Sequence, residues 1–304
     1  MQSIILLFLC LIVGIALQRV SAFPKNTHTV LNQYVLWVAL PAMALYYLPK
    51  VELGFDLLFP ASIAWISFGL AYVFFNFLGK QFGWSRKLIG CLILTGGLGN
   101  TSFVGIPVIE ALFGKEGLKT LIIVDLPGTF IVLSTLGILV AATYSKGTQS
   151  TSFFKKVIVF PPFIAFIIGL LMTVIKVDFP VELSETFKTL AGTVSPIALI
   201  SVGFQLKFHR ESKHYRYLAL GLSFQLLIVP AVIFGLFFGV FGKDDLATQV
   251  CIIEAAMAPM ITGAILASSY GLKPQLSNMM VGFGIPISFI TIAFWYWMIQ
   301  VVMR

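Results

Sequence analysis

The chain has 304 residues, of which 59% are hydrophobic and only 11% charged, with a formal net charge of +8. A soluble domain carries roughly half apolar and a quarter charged residues, so this composition excludes an ordinary soluble fold and specifies a membrane protein. The basic residues sit in short loops between apolar runs, which is a topology pattern rather than a nucleic-acid footprint, and no nucleic-acid partner is expected.

Hydropathy predicts ten membrane spans, near 3–19, 29–48, 57–79, 88–113, 118–143, 157–175, 183–206, 217–241, 246–271 and 275–302; about 20 apolar residues suffice for one crossing. The first span is followed by VSA at 20–22, which resembles a signal-peptidase site. No basic segment precedes it, however, and Arg19 stands where a cleavable apolar core would have ended, so the span is expected to be retained. Cys10, Cys91 and Cys251 all fall inside spans, without metal-site spacing, and read as packing residues. His28, His209 and His214 lie at span ends or in the basic loop 207–216, and no His/Cys/Asp constellation suggests a metal, a cofactor or an enzyme. That loop, KFHRESKHYR, is a topology signal that also suits anionic lipid headgroups. Trp295, Tyr296 and Trp297 read as an interfacial aromatic belt.

Loops after the odd-numbered spans hold thirteen Lys and Arg residues and the other set holds seven. The positive-inside rule then puts both termini outside and the Ser/Thr/Lys-rich loop 144–156 in the cytoplasm of a multi-pass protein of the cell (inner) membrane.

The fourth span, 88–113, cannot be one regular helix. Gly96, Gly97 and Gly99 stand beside Asn100, Thr101 and Ser102, and Gly105 and Pro107 follow. Glycine is a poor helix former, proline removes a donor, and a polar trio of this kind caps a helix N-terminus. Two half-helices are expected to meet around 97–101. Unwound backbone at membrane depth survives only where protein buries it or a cavity receives it, and in secondary transporters it marks the substrate site.

The two halves repeat. Gly14 answers Gly169 and Pro41 answers Pro196 at an offset of 155, Gly83 answers Gly242 and Pro127 answers Pro286 at 159, and Cys91 answers Cys251 at 160. Five spans per repeat is an odd number, so the second half must be inverted. The organisation expected is a first repeat at 1–143, a linker at 144–156 and a second, inverted repeat at 157–304. Gly99 at offset 160 lands on Pro259, which predicts a second break inside the ninth span.

GLGNTSFVGIPVIEALFG at 97–114 resembles the fourth-span signature of the auxin efflux carrier family, and APMITGAILASSYG at 258–271 resembles its ninth span. The resemblance covers essentially the whole chain. It implies an all-α membrane fold of ten helices in a 5+5 inverted repeat with crossed, broken helices 4 and 9. A scaffold-plus-transport arrangement akin to sodium/proton antiporters and bile-acid symporters, and a homodimer through the scaffold half, come with it. It also implies transport of organic anions, such as auxin or dicarboxylates like malate and malonate. Two departures matter: Gly99 stands where plant members have proline, and Met260, Ile261, Thr262 and Gly263 make the second crossover less polar than usual. The compact chain favours a prokaryotic member.

A half-helix starting near Thr101 turns unpaired N–H groups toward the cavity and makes an anion site. Asn100, Thr101, Ser102 and Gly99, with Pro259, Met260 and Thr262 from the ninth span, are the expected substrate contacts. Intramembrane carboxylates are costly, so Glu254, Asp125 and Glu110 are the candidates for carrying a coupling proton. Glu254 would alternatively hold sodium, as acidic crossover residues do in related symporters. The readings that stay open are an organic-anion carrier, a sodium-coupled symporter of the same fold, and a non-transporting receptor or sensor.

Overall fold

The computed structural model describes residues 2–50, 54–145, 161–205 and 214–303. Nearly all of the predicted linker 144–156, the start of the sixth span and residues 207–213 of the basic loop lie outside the described residues. The described residues are helical throughout, with no strand. Their helices are α1 (Gln2–Leu17), α2 (Thr27–Lys50), α3 (Leu58–Gln81), α4 (Arg86–Gly96), α5 (Thr101–Tyr144), α6 (Pro161–Ile175), α7 (Val181–Phe204), α8 (Tyr215–Val240), α9 (Leu246–Ala255), α10 (Ile261–Ser269) and α11 (Pro274–Val302). Six of them (α2, α3, α5, α7, α8 and α11) are long and apolar enough to cross a membrane. Their outer faces carry Trp37, Val73 and Ile290 at 60%, 67% and 73% exposure, as lipid contact requires. The predicted fourth and fifth spans join in the 44-residue α5, which turns at Gly114 with φ 67° and ψ −162°. Only glycine adopts that conformation without strain.

The chain divides into two compact units. The first comprises Met1–Leu57, Ser102–Leu126 and Ser152–Leu206. Small residues let its helices approach closely, the means by which helices associate when lipid removes the hydrophobic drive. A Cβ on Gly14 of α1 would fall 2.2 Å from the Ile200 carbonyl oxygen of α7, and one on Gly203 would fall 2.3 Å from the Leu11 carbonyl oxygen. Gly169 of α6 sits in the same way on α2, where a Cβ would lie 2.9 Å from Leu48 Cβ. The Thr173 hydroxyl then donates to the Leu48 carbonyl at 2.7 Å.

The second unit comprises Leu58–Thr101, Pro127–Thr151 and Lys207–Arg304. Its centre is α4, buried without interruption from Leu88 to Gly96; a helix that is apolar all round belongs inside. Around it pack α3, α8, α10 and α11. Phe75 and Phe224 meet at 4.9 Å between ring centroids. The aromatic trio near the end of α11 divides: Trp297 is exposed, whereas Trp295 is buried and its indole N–H donates to the Leu226 carbonyl at 3.0 Å. Trp295 is therefore a core residue and not part of an aromatic belt, because the helix turns it inward onto a free carbonyl.

Candidate functional site

Two helix breaks face each other inside the second unit. α4 ends at Gly96, and α9 ends at Ala255, with five residues between it and the start of α10 at Ile261. The Asn100 N–H donates to the Ala258 carbonyl at 2.7 Å, and the Met260 N–H donates to the Leu98 carbonyl at 3.0 Å. Gly99 and Pro259 thus form an antiparallel bridge. They occupy the pair that exchanges no hydrogen bond, so the N–H that Pro259 lacks is not needed there. Backbone that leaves a helix in apolar surroundings must find partners, and each break supplies them to the other.

The bridge is tight on the Gly99 side. A Cβ at Gly99 would lie 3.2 Å from the Glu254 carbonyl oxygen, 3.3 Å from Met257 Cβ and 3.4 Å from Gln225 Nε2. Asn100 and Thr101 are each 2% exposed and Glu254 is 1% exposed, whereas Met260 is half-buried and Thr262 is exposed. No lysine or arginine occurs in 88–114 or 247–272, so a ligand here would meet amides, hydroxyls and helix ends rather than a full cation. α10 begins at Ile261 with no side chain capping its first turn, which leaves N–H groups available to an acceptor.

The other predicted residues lie in the first unit. Ser102 donates its hydroxyl to Asp125 Oδ1 at 2.6 Å, joining two π-helical stretches of α5, Thr101–Gly105 and Val124–Phe130. Ser102 therefore serves Asp125 rather than capping a half-helix, and such π segments recur at functional sites. Glu110 Oε2 accepts from the Ser195 hydroxyl at 2.6 Å, beside Pro196 on α7.

One residue of the bridge is absent from the sequence reading. Gln225 on α8 is 1% exposed, and its Nε2 donates to the Met257 carbonyl at 3.2 Å while Oε1 has no hydrogen-bond partner. The available signal was a primary amide in the middle of an apolar span, since polar groups at that depth are expensive and tend to be functional.

The chain is 25% identical over 299 residues to an uncharacterized transporter of Methanothermobacter thermautotrophicus, covering 97% of this chain and 96% of that relative. It is 26% identical over 307 residues to an uncharacterized transporter of Methanocaldococcus jannaschii, covering 98% of each. The family described as membrane transport protein matches residues 1–296. A multi-pass helical chain matched over nearly its whole length in this way belongs to that family, the auxin efflux carriers.

Proposed function

We propose that the protein is a secondary carrier of ten spans in a 5+5 inverted repeat, moving a small organic anion by alternating access with the substrate at the crossing of the two broken helices. The observation that carries this reading is the reciprocal pairing of Leu98–Asn100 with Ala258–Met260, two segments offset by 160 residues and centred on the Gly99–Pro259 pair. Other repeat mates support it. Gly14 seats α1 on α7 while Gly169 seats α6 on α2, and Gly83 and Gly242 share the same φ of 64°. Helix ends with amides and hydroxyls suit a carrier, which must release what it binds.

Asn100, Thr101, Ser102, Gly99, Pro259, Met260 and Thr262 are the proposed substrate contacts, and Gln225 joins them. Glu254 is the first candidate for coupling, by proton or by sodium, with Asp125 second and Glu110 third. The inner-membrane location, outward termini and a homodimer belong to the same proposal.

The test is radiolabelled uptake of malate, malonate and indole-3-acetate into proteoliposomes, with and without imposed proton and sodium gradients, beside Asn100→Ala. Saturable uptake that falls at least tenfold in the variant, about 1.4 kcal/mol, supports the site. Uptake indifferent to Asn100→Ala refutes it. Binding without uptake would favour a receptor.

A further inference from the structure

We propose that the second unit holds a phosphate-binding cavity, at the opposite end of α4 from the helix break, that takes the headgroup of an anionic phospholipid. The cavity has a volume of about 300 Å³ and is lined by Trp84, Ser85, His214, Arg216, Tyr217 and Lys273 among others. Its chemistry is one-sided. Among the described residues no carboxylate lines it, and neither Arg216 nor Lys273 has a carboxylate partner. Two cations facing one concave space attract an anion with several acceptor oxygens.

The backbone adds to the same field. Ser85, His214 and Lys273 are the residues that open α4, α8 and α11, so three helices begin at the cavity wall. None of the three starts carries a side-chain cap. Each start contributes partial positive charge and N–H groups with no intrahelical acceptor. Gly83 at φ 64° makes the turn that delivers Trp84 and Ser85 to this wall, and Lys273 is itself left-handed at φ 50°. A lysine held in that conformation costs about 1–2 kcal/mol, which the local structure has to impose.

The source of the phosphate follows from where the cavity lies. It opens at the ends of membrane-spanning α3 and α8, after Gln81 and before Tyr215. Trp84 and Tyr217 meet edge-to-face at 5.4 Å between centroids, and Phe82 stacks on Trp84 at 6.2 Å. Amphipathic rings of this kind sit at headgroup depth. A phosphodiester enters between cations and helix starts while its glycerol and acyl chains lie along the aromatic rim. A soluble phosphate would use the same cations and helix starts without the rim.

The experiment compares full-length wild type with the double variant Arg216→Gln/Lys273→Asn, asparagine being chosen because it tolerates the left-handed backbone. Arg216 is exposed, so Arg216→Gln alone serves as the variant least able to disturb folding. A control, Lys119→Gln/Lys188→Gln, makes the same change in net charge at two surface ion pairs. Protein in nanodiscs of phosphatidylcholine with a small fraction of phosphatidylglycerol is followed by native mass spectrometry for retained lipid. Inorganic phosphate is titrated separately in detergent with a thermal-shift readout.

Preferential retention of phosphatidylglycerol that drops about thirtyfold in the double variant, about fivefold in Arg216→Gln and not in the control supports the lipid site. Stabilisation by inorganic phosphate with the same dependence on variants, without lipid preference, keeps the phosphate chemistry and replaces the source. Retention and thermal shift that are equal in wild type, Arg216→Gln and control overturn the proposal.

Discussion

Gly284 lies under Pro259 so closely that a Cβ on the glycine would fall 2.5 Å from the proline Cδ. α11 thereby supports the ninth-span break directly, and the ring of Pro259 uses the room that a side chain would occupy. Gly284→Ala is expected to destabilise the protein by about 1–3 kcal/mol, the usual range for overpacking a filled core. Gly69 of α3 has open space at its Cβ position, so Gly69→Ala should be neutral or stabilise by up to about 1 kcal/mol. Thermal unfolding in detergent orders the two, and equal melting temperatures would mean that Gly284 is not under contact pressure.

Gln225→Leu separates a substrate role from a structural one. The leucine loses the bond to the Met257 carbonyl but also removes an acceptor buried without return, so stability should change by no more than about 1 kcal/mol. Anion uptake should nevertheless fall at least tenfold. A variant that unfolds early but transports normally per folded molecule would assign Gln225 to packing alone.

The three carboxylates should respond differently to neutralisation. Glu254→Gln is expected to remove the dependence of uptake on an imposed proton or sodium gradient, because Glu254 is the candidate that lies one residue before the end of α9, where the second break begins. Glu110 is held by Ser195, so Glu110→Gln should keep gradient dependence within about twofold of wild type and cost about 1–3 kcal/mol in stability. Gradient-driven uptake that survives Glu254→Gln and vanishes in Asp125→Asn would move the coupling role to the Ser102–Asp125 pair.

Gly83 and Gly242 offer a test of the repeat by energetics. Both have φ 64° and open space around the Cβ position, so the cost of a side chain there is conformational only. Gly83→Ala and Gly242→Ala should each lose about 1–2 kcal/mol, and asparagine less at both positions. Clearly unequal costs would show that the two turns, despite equal angles, are built by different means.

What could be read from residues alone was what local chemistry decides. The glycine run at 96–99 and Pro259 each forbid a regular helix, and the offset of 160 pairs Gly99 with Pro259. Apolar run lengths located nearly every described helix within a few residues. Choices made by helix rotation were not legible. Trp295 and Trp297 stand two residues apart with similar chemistry, yet the helix phase buries one and exposes the other. The same holds for Ser102, whose hydroxyl was free on sequence grounds to cap its own helix until the fold brought Asp125 to it. Gln225 was overlooked because a single amide does not alter the hydropathy of its span.

The division of the chain has a consequence for biogenesis. Each unit is assembled from three stretches that alternate along the sequence, so the first is incomplete until residue 206 has been made and the second until residue 304. Residues 1–143 contain pieces of both units and the whole of neither. Contacts at such separations form late, and partly inserted chains must hold polar breaks such as 97–100 without their partners at 258–260. Synthesis of the C-terminal half is therefore what closes the backbone of the N-terminal half, and a half-length product should be cleared by membrane proteases rather than persist as a smaller carrier.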